Sequence, residues 1–188
     1  MSGKTRTLFL SIFIPMMGIT SCTGPATETE ETAASAESAP SISETPPEEQ
    51  VTNLEAMCSA AADEIAERQT QATLYQRVGG RSGLHEMVSD TVARHQVNEQ
   101  ISHFMEGVDA ENLTNQVTDF LVVGTGGEGE YNGRDMLEAH AHLKLSNMHF
   151  LAAGEDMDAA MKAAGWGAGE QQELLCAFVA LRSEVVTQ

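Results

Sequence analysis

The sequence predicts an all-α domain of four main helices joined by short connecting turns. Two observations carry that prediction. Apolar residues return at helical spacing in four separate stretches between residues 84 and 185, the mark of helices with one buried face. The glycine-rich run around Gly124, Gly126, Gly127 and Gly129 lacks alternating apolar and polar flanks, so no β-hairpin competes.

The chain of 188 residues reaches that domain through three other segments. Lys4 and Arg6 make a basic start, and Leu8–Ile19 is an apolar run too short to span a bilayer comfortably. Ile19-Thr20-Ser21-Cys22 follows. This pattern resembles a bacterial lipoprotein signal peptide, residues 1–21, with Cys22 as the residue that becomes the acylated N-terminus. An ordinary secretory signal or an uncleaved anchor is the alternative. Either way the protein is expected to be exported, and the lipoprotein reading makes it membrane-anchored, facing the periplasm or cell surface. Thr23 stands where an Asp would argue against outer-membrane sorting in a host with two membranes. Residues 22–51, rich in Thr, Ser, Glu, Ala and Pro without aromatics, read as a disordered acidic tether, because they cannot bury enough apolar surface to offset the entropy of ordering. Pro25, Pro40, Pro46 and Pro47 stiffen it locally. Residues 52–72 read as an extra N-terminal helix. Thr52 with Glu55 suits a capping box, and Leu54, Met57, Cys58, Ala61 and Ile65 form a thin apolar stripe.

Residues 73–188 are the domain proper. Leu84, Val88, Val92 and His95 form its first stripe, ahead of a short turn at Ile101–Met105. Leu113, Val117, Phe120 and Leu121 form the second. Phe150, Ala153, Met157, Ala160, Met161 and Ala164 form the third, stopped by Gly165 and Gly167. Leu174, Phe178, Leu181 and Val185 form the fourth.

The formal net charge of −18 excludes some partners. Residues 23–72 hold eleven acids against one base, and residues 73–188 hold seventeen against seven. No basic stripe offers itself to phosphates, so nucleic acid is excluded as a partner. An anionic lipid surface is equally unsuited without the acyl anchor. If Cys22 is acylated, Cys58 and Cys176 remain, either as a disulfide stapling the extra helix to the domain or as two separately buried thiols. No Cys-x-x-Cys occurs, so zinc or thioredoxin-like chemistry is not indicated.

The stretch Tyr131–Phe150 holds three of the six histidines: His140, His142 and His149. Met136 and His140 stand four apart and share a face on a helix. A thioether beside an imidazole suits a flat apolar cofactor with a metal centre. The plainer reading of that spacing is two ordinary side chains on a short surface helix.

A longer pattern adds to it. Leu74-Tyr75-x-x-Val78-Gly79-Gly80 is followed by a helix, then Phe104-Met105-x-Gly107-Val108-Asp109, then a helix ending Phe120-Leu121, then Gly126-Gly127. Tyr131-x-Gly133-Arg134-x-Met136-x-x-Ala139-His140 and His149-Phe150 complete it. This order resembles the truncated haemoglobins of the first group, the two-over-two helical globins. The resemblance runs from Thr73 to the C-terminus, without gaps through Gly165.

The resemblance implies a two-over-two helical sandwich holding haem b, with His140 as axial iron ligand. It places Met136, Phe104, Met105, Leu113, Val117, Phe120, Arg134, Leu143 and Phe150 against the cofactor. His149 is implied to be structural. His85, His95 and His103 are expected at solvent or at a helix end. The distal side departs from the family. Val92 stands where a tyrosine is usual, Val117 where glutamine is frequent, and Met105 where an aromatic is usual. Gln116 stands where some relatives carry an iron-binding histidine, and Ala153 where other groups carry tryptophan. Trp166 lies at a helix–helix turn and does not substitute for that residue. Val92, Leu113, Val117 and Ala153 offer no hydrogen-bond donor, so the expected distal pocket is apolar. Thr91, Thr114 or Gln116 could serve only if the distal helix were rotated.

The expected function is binding of a diatomic gas (O2, NO or CO), with the membrane reached through the lipid anchor. Two other classes remain open. One is a globin-fold interaction domain that has lost haem. The other is a haem-dependent redox enzyme, an NO dioxygenase fed by an unidentified reductase or a peroxidase-like protein. The last has no clear distal acid–base residue.

Overall fold

The computed structural model describes residues 45–188. The signal segment, Cys22 and most of the tether lie outside the described residues. In chain order the helices are α1 (Pro47–Gln71), α2 (Leu74–Arg77), α3 (Gly80–His95), α4 (Ala110–Gly124), α5 (Met136–His140), α6 (Asn147–Ala163), α7 (Ala168–Ala180) and α8 (Arg182–Val185). Short 3-10 turns lie at Ser102–Met105 and Ala141–Leu143. Helix α3 packs on α4 and crosses α6, while α6 packs on α7. This is the all-α, two-over-two arrangement expected from the sequence.

Helix α1 begins at Pro47, not at Thr52. Proline fits the first helical turn, where its missing N–H costs nothing, and Glu48 and Glu49 sit favourably at the positive end of the helix dipole. The proline pair assigned to the tether is therefore a helix start. Thr52 lies inside the helix and donates its hydroxyl to the Glu48 carbonyl at 2.9 Å, so the Thr52–Glu55 capping box does not form.

Only Val51 and Ala61 of α1 are buried, and other contacts hold it down. Cys58 and Cys176 form a disulfide to α7, with Cα atoms 5.3 Å apart. Closing a loop of 118 residues is worth about 4–5 kcal/mol in chain-entropy terms. Arg68 donates to Gln172 at 3.0 Å, and Gln69 donates to the buried Glu173 at 2.9 Å. From α2, Arg77 reaches both Glu173 and Glu170. Burial works against the Arg77 charge, but its hydrogen bonds to Glu173 and Glu170 prevail and raise its pKa.

Thr73 and Gln76 form a reciprocal capping box that starts α2. Gly79 adopts φ 87° and turns the chain into α3. Gly83 is needed for a different reason: a Cβ there would lie 1.8 Å from the Val78 carbonyl oxygen. The larger core cluster joins Leu84, Met87, Val88 and Val92 of α3 to Met157, Ala160 and Met161 of α6 and Leu174 of α7.

Helix α4 differs from the expected pattern. Its fully buried positions are Thr114, Thr118 and Val122, while Leu113, Val117, Phe120 and Leu121 are half-buried. The reason lies in the hydroxyls. Thr114 donates to the Ala110 carbonyl at 2.8 Å, and Thr118 to the Thr114 carbonyl at 2.7 Å. Threonines satisfied this way can be buried, leaving the leucine and valine stripe at the edge of the core. The fourth stripe is interrupted at Leu181, where α7 ends and α8 begins.

Candidate functional site

The glycine-rich loop before α5 is braced by Tyr131. Its ring meets Phe120 edge-on at 5.3 Å, and its hydroxyl donates to the Arg134 carbonyl at 3.0 Å. Asp135 then caps α5 reciprocally with Glu138, so a helix of five residues has a fixed start. His140 is its last residue. The His140 Nδ1–H donates to the Met136 carbonyl at 2.8 Å. That bond fixes the tautomer and leaves the Nε2 lone pair without a proton, which is the form that ligates a metal. The ring is half-buried.

The other two histidines of the stretch are differently committed. His142 is exposed. His149 Nδ1 accepts from the Ser146 backbone N–H at 3.1 Å as part of the cap of α6, so its neutral ring carries its proton on Nε2. Lys144, in the left-handed region at φ 52°, turns the chain between them.

Two apolar groups meet near these elements. The smaller is built on Leu145, Phe150 and Val185, with Met136, Leu143 and Phe104 packed against it. The edge of the larger core, the cluster to which Val92 belongs, carries Met105, Leu113, Val117 and Leu121 packed against it. Phe178 touches both and stacks on Phe150 at 4.2 Å. The candidate residues thus fall into two sets, with Phe178 between them. Arg134 and Gln116 are exposed, Ala153 is half-buried on α6, and Phe120 is engaged by Tyr131.

The polar side chains of α3 and α4 named above are accounted for. Thr91 donates to the Met87 carbonyl at 2.9 Å. The Thr114 and Thr118 hydroxyls are given to their own helix. His95 takes the helix-end place, one of the two expected for it, and is 20% exposed. It ends α3 and donates from Nδ1 to Asp156 on α6 at 2.8 Å, with Asn98 donating to the same oxygen at 3.0 Å. No sequence spacing announces this pair, because its members lie 61 residues apart.

Two cavities lie elsewhere. A surface groove of about 880 Å³ runs past Arg81, His85 and Asp90, and one of about 240 Å³ lies among Arg77, Glu86, Trp166 and Glu170. Charged side chains line both, and neither includes His140.

The profile of the family described as bacterial-like globin matches residues 73–187. A group 1 truncated hemoglobin of Tetrahymena pyriformis is 34% identical over 93 residues, which are 50% of this chain and 77% of that protein. The group 1 truncated hemoglobin GlbN of Mycolicibacterium paratuberculosis is 32% identical over 117 residues, 62% of this chain and 85% of that protein. Among solved structures, the Fe(III) form of the Tetrahymena pyriformis truncated hemoglobin superposes with a TM-score of 0.57 at 28% identity, over 62% of this chain and 99% of that one. The 2/2 hemoglobin of a Synechococcus species, in the cyanomet state with covalently attached heme, gives 0.58 at 23% identity over 62% and 100%, a likeness of fold. Helix α1 precedes the matched region.

Proposed function

Because the chain belongs to the bacterial-like globins, and within them to the group 1 truncated haemoglobins, we propose that it holds haem b through His140 and binds a diatomic gas beside an apolar distal wall. The observation that carries this reading is the hydrogen bond from His140 Nδ1 to the Met136 carbonyl, which leaves the other ring nitrogen free as a ligand. Haem b, when bound, supplies an iron with a site for O2, NO or CO. Met136, Leu143, Phe104 and Phe150 offer an apolar shelf on the His140 side. Val92, Leu113 and Val117 supply the opposite wall, and they bring no donor. Thr91, Thr114 and Thr118 spend their hydroxyl protons on main-chain carbonyls, and Gln116 is turned outward. NO and CO depend less than O2 on a donor, so they suit this wall better.

The test is an absorption titration of the haem-free protein with haem. A Soret band is expected for the parent and is expected to be lost in His140→Ala. A parent that takes up no haem would support the haem-free interaction domain. An undiminished band in His140→Ala would make the axial assignment wrong. Turnover as an NO dioxygenase would further require electrons from a reductase.

The domain is also proposed to work outside the cytoplasm, anchored through Cys22. The Cys58–Cys176 disulfide supports that location, since such bonds persist in oxidising compartments. Cys22→Ala should release the protein from the membrane fraction. Unchanged fractionation would remove the lipid anchor from the proposal.

A further inference from the structure

We propose that His95 and Asp156 are a positioning pair that clamps the end of α3 to α6 and so sets how freely small ligands reach the gas site. The inference rests on the distal reading of Val92 and Ala153 given above. His95 lies three residues after Val92 on α3, and Asp156 lies three residues after Ala153 on α6. Residues three apart share a helix face, so the pair stands one turn beyond the two distal positions, where α3 and α6 meet.

The pair is largely shielded, with side chains 20% and 15% exposed. Among the described residues no other charged side chain pairs with it. Helix α6 contributes Asp156, and the loop after α3 contributes the neutral Asn98. On α3 itself, Arg94 is turned to Asp90 at 3.0 Å. The Lys162–Asp158 pair lies farther along α6 and is much more exposed. Removing His95 would therefore leave a poorly solvated carboxylate with Asn98 as its remaining hydrogen-bond partner.

The clamp matters because it ties the last turn of α3, by side chains, to the middle of α6, with Asn98 of the following turn on the same carboxylate oxygen. Helix α3 ends there, and Val97 is 78% exposed. In the last turn of α3, Val92 is the residue held in the core. Helix ends open at low cost unless something ties them down. The His95–Asp156 bond, reinforced by Asn98 on the same oxygen, is that tie, and it holds the turn that carries Val92 to α6. A loosened turn would let Val92 withdraw and widen the space beside Ala153.

The experiment uses haem-reconstituted protein and measures CO association after flash photolysis. Backbone hydrogen exchange of residues 92–98 is followed in the haem-free protein. Asp156→Ala should raise the CO association rate about threefold to tenfold, within the roughly twofold to thirtyfold span of residues that act without touching the ligand. It should also speed exchange in residues 92–98. His95→Ala should act in the same direction, and adding it to Asp156→Ala should change nothing further, since Asp156→Ala already removes the bonds to both His95 and Asn98. Asp156→Asn, which can still accept from His95, should stay near the parent. Asp158→Ala is the control and should change neither readout. If Asp156→Ala fails to fold, His95→Ala against Asp156→Asn carries the comparison. Faster exchange with an unchanged CO rate would make the pair purely structural and overturn the proposal, as would no change in either. A parent without a Soret band would overturn the haem reading itself, and this proposal with it.

Discussion

Helix α5 and helix α4 use hydrogen bonds to main-chain carbonyls to opposite ends. On α5, the His140 Nδ1–H is given to Met136 and the second nitrogen is thereby freed. On α4, the Thr114 and Thr118 hydroxyls are given to Ala110 and Thr114, and nothing is left over. The same kind of local bond leaves a ring nitrogen open on α5 and spends the hydroxyl donors on α4. A polar residue in the sequence is thus no measure of a polar pocket. What matters is which of its atoms the backbone has already taken.

The sharpest way to break this contrast is at His140. His140→Ala should abolish most haem affinity, whereas His142→Ala and His149→Ala should keep the Soret band. His149→Ala should still lose about 1 kcal/mol through the cap of α6, read as a lower melting temperature. Loss of the band in His149→Ala alone would reverse the assignment of the two rings.

The next effect in size is at Val92. Val92→Tyr would return a donor to the wall and should raise O2 affinity by about tenfold, or roughly 1.4 kcal/mol, with CO affinity moving far less. The added ring could cost about 1–3 kcal/mol through overpacking, so melting is measured first. The readout is the pair of dissociation rates for O2 and CO. Slow O2 release already present in the parent would mean that a donor reaches the ligand and that the wall is not apolar.

Smaller still is Thr118→Val. It deletes a buried hydroxyl and should cost about 0.5–1.5 kcal/mol in stability, with no change in gas rates. Gln116→Leu should do least, leaving O2 dissociation as it was. A faster rate in that variant would show Gln116 turning inward when the ligand binds.

The helices were legible because a buried helix face repeats along the chain, and Leu84, Val88 and Val92 announce theirs. His140 could be singled out as a candidate because its motif is local. Other features depend on more than local pattern. Pro46-Pro47 fits a stiff tether as well as a helix start, and the buried contacts of Val51 decide between them. The threonine face of α4 was missed because a scale that ranks threonine as polar cannot see its hydroxyl bonded to its own helix. His95 and Asp156 are 61 residues apart, and Cys58 and Cys176 are 118 apart. Closure of such pairs is a property of the folded chain.

The disulfide between α1 and α7 also determines where mechanical load would enter the domain. In the anchored arrangement proposed above, a pull on the chain ahead of Pro47 runs along α1 only as far as Cys58, about 16 Å at helical rise. There it divides, and the covalent branch passes into α7 at Cys176. The remainder of α1 and the junction to α2 form a second branch, secured by the Arg68, Gln69 and Arg77 contacts to Glu173. Tension therefore cannot peel α1 away as a whole while the sulfurs remain joined, and the grip falls on α7, away from the α3–α4 pair.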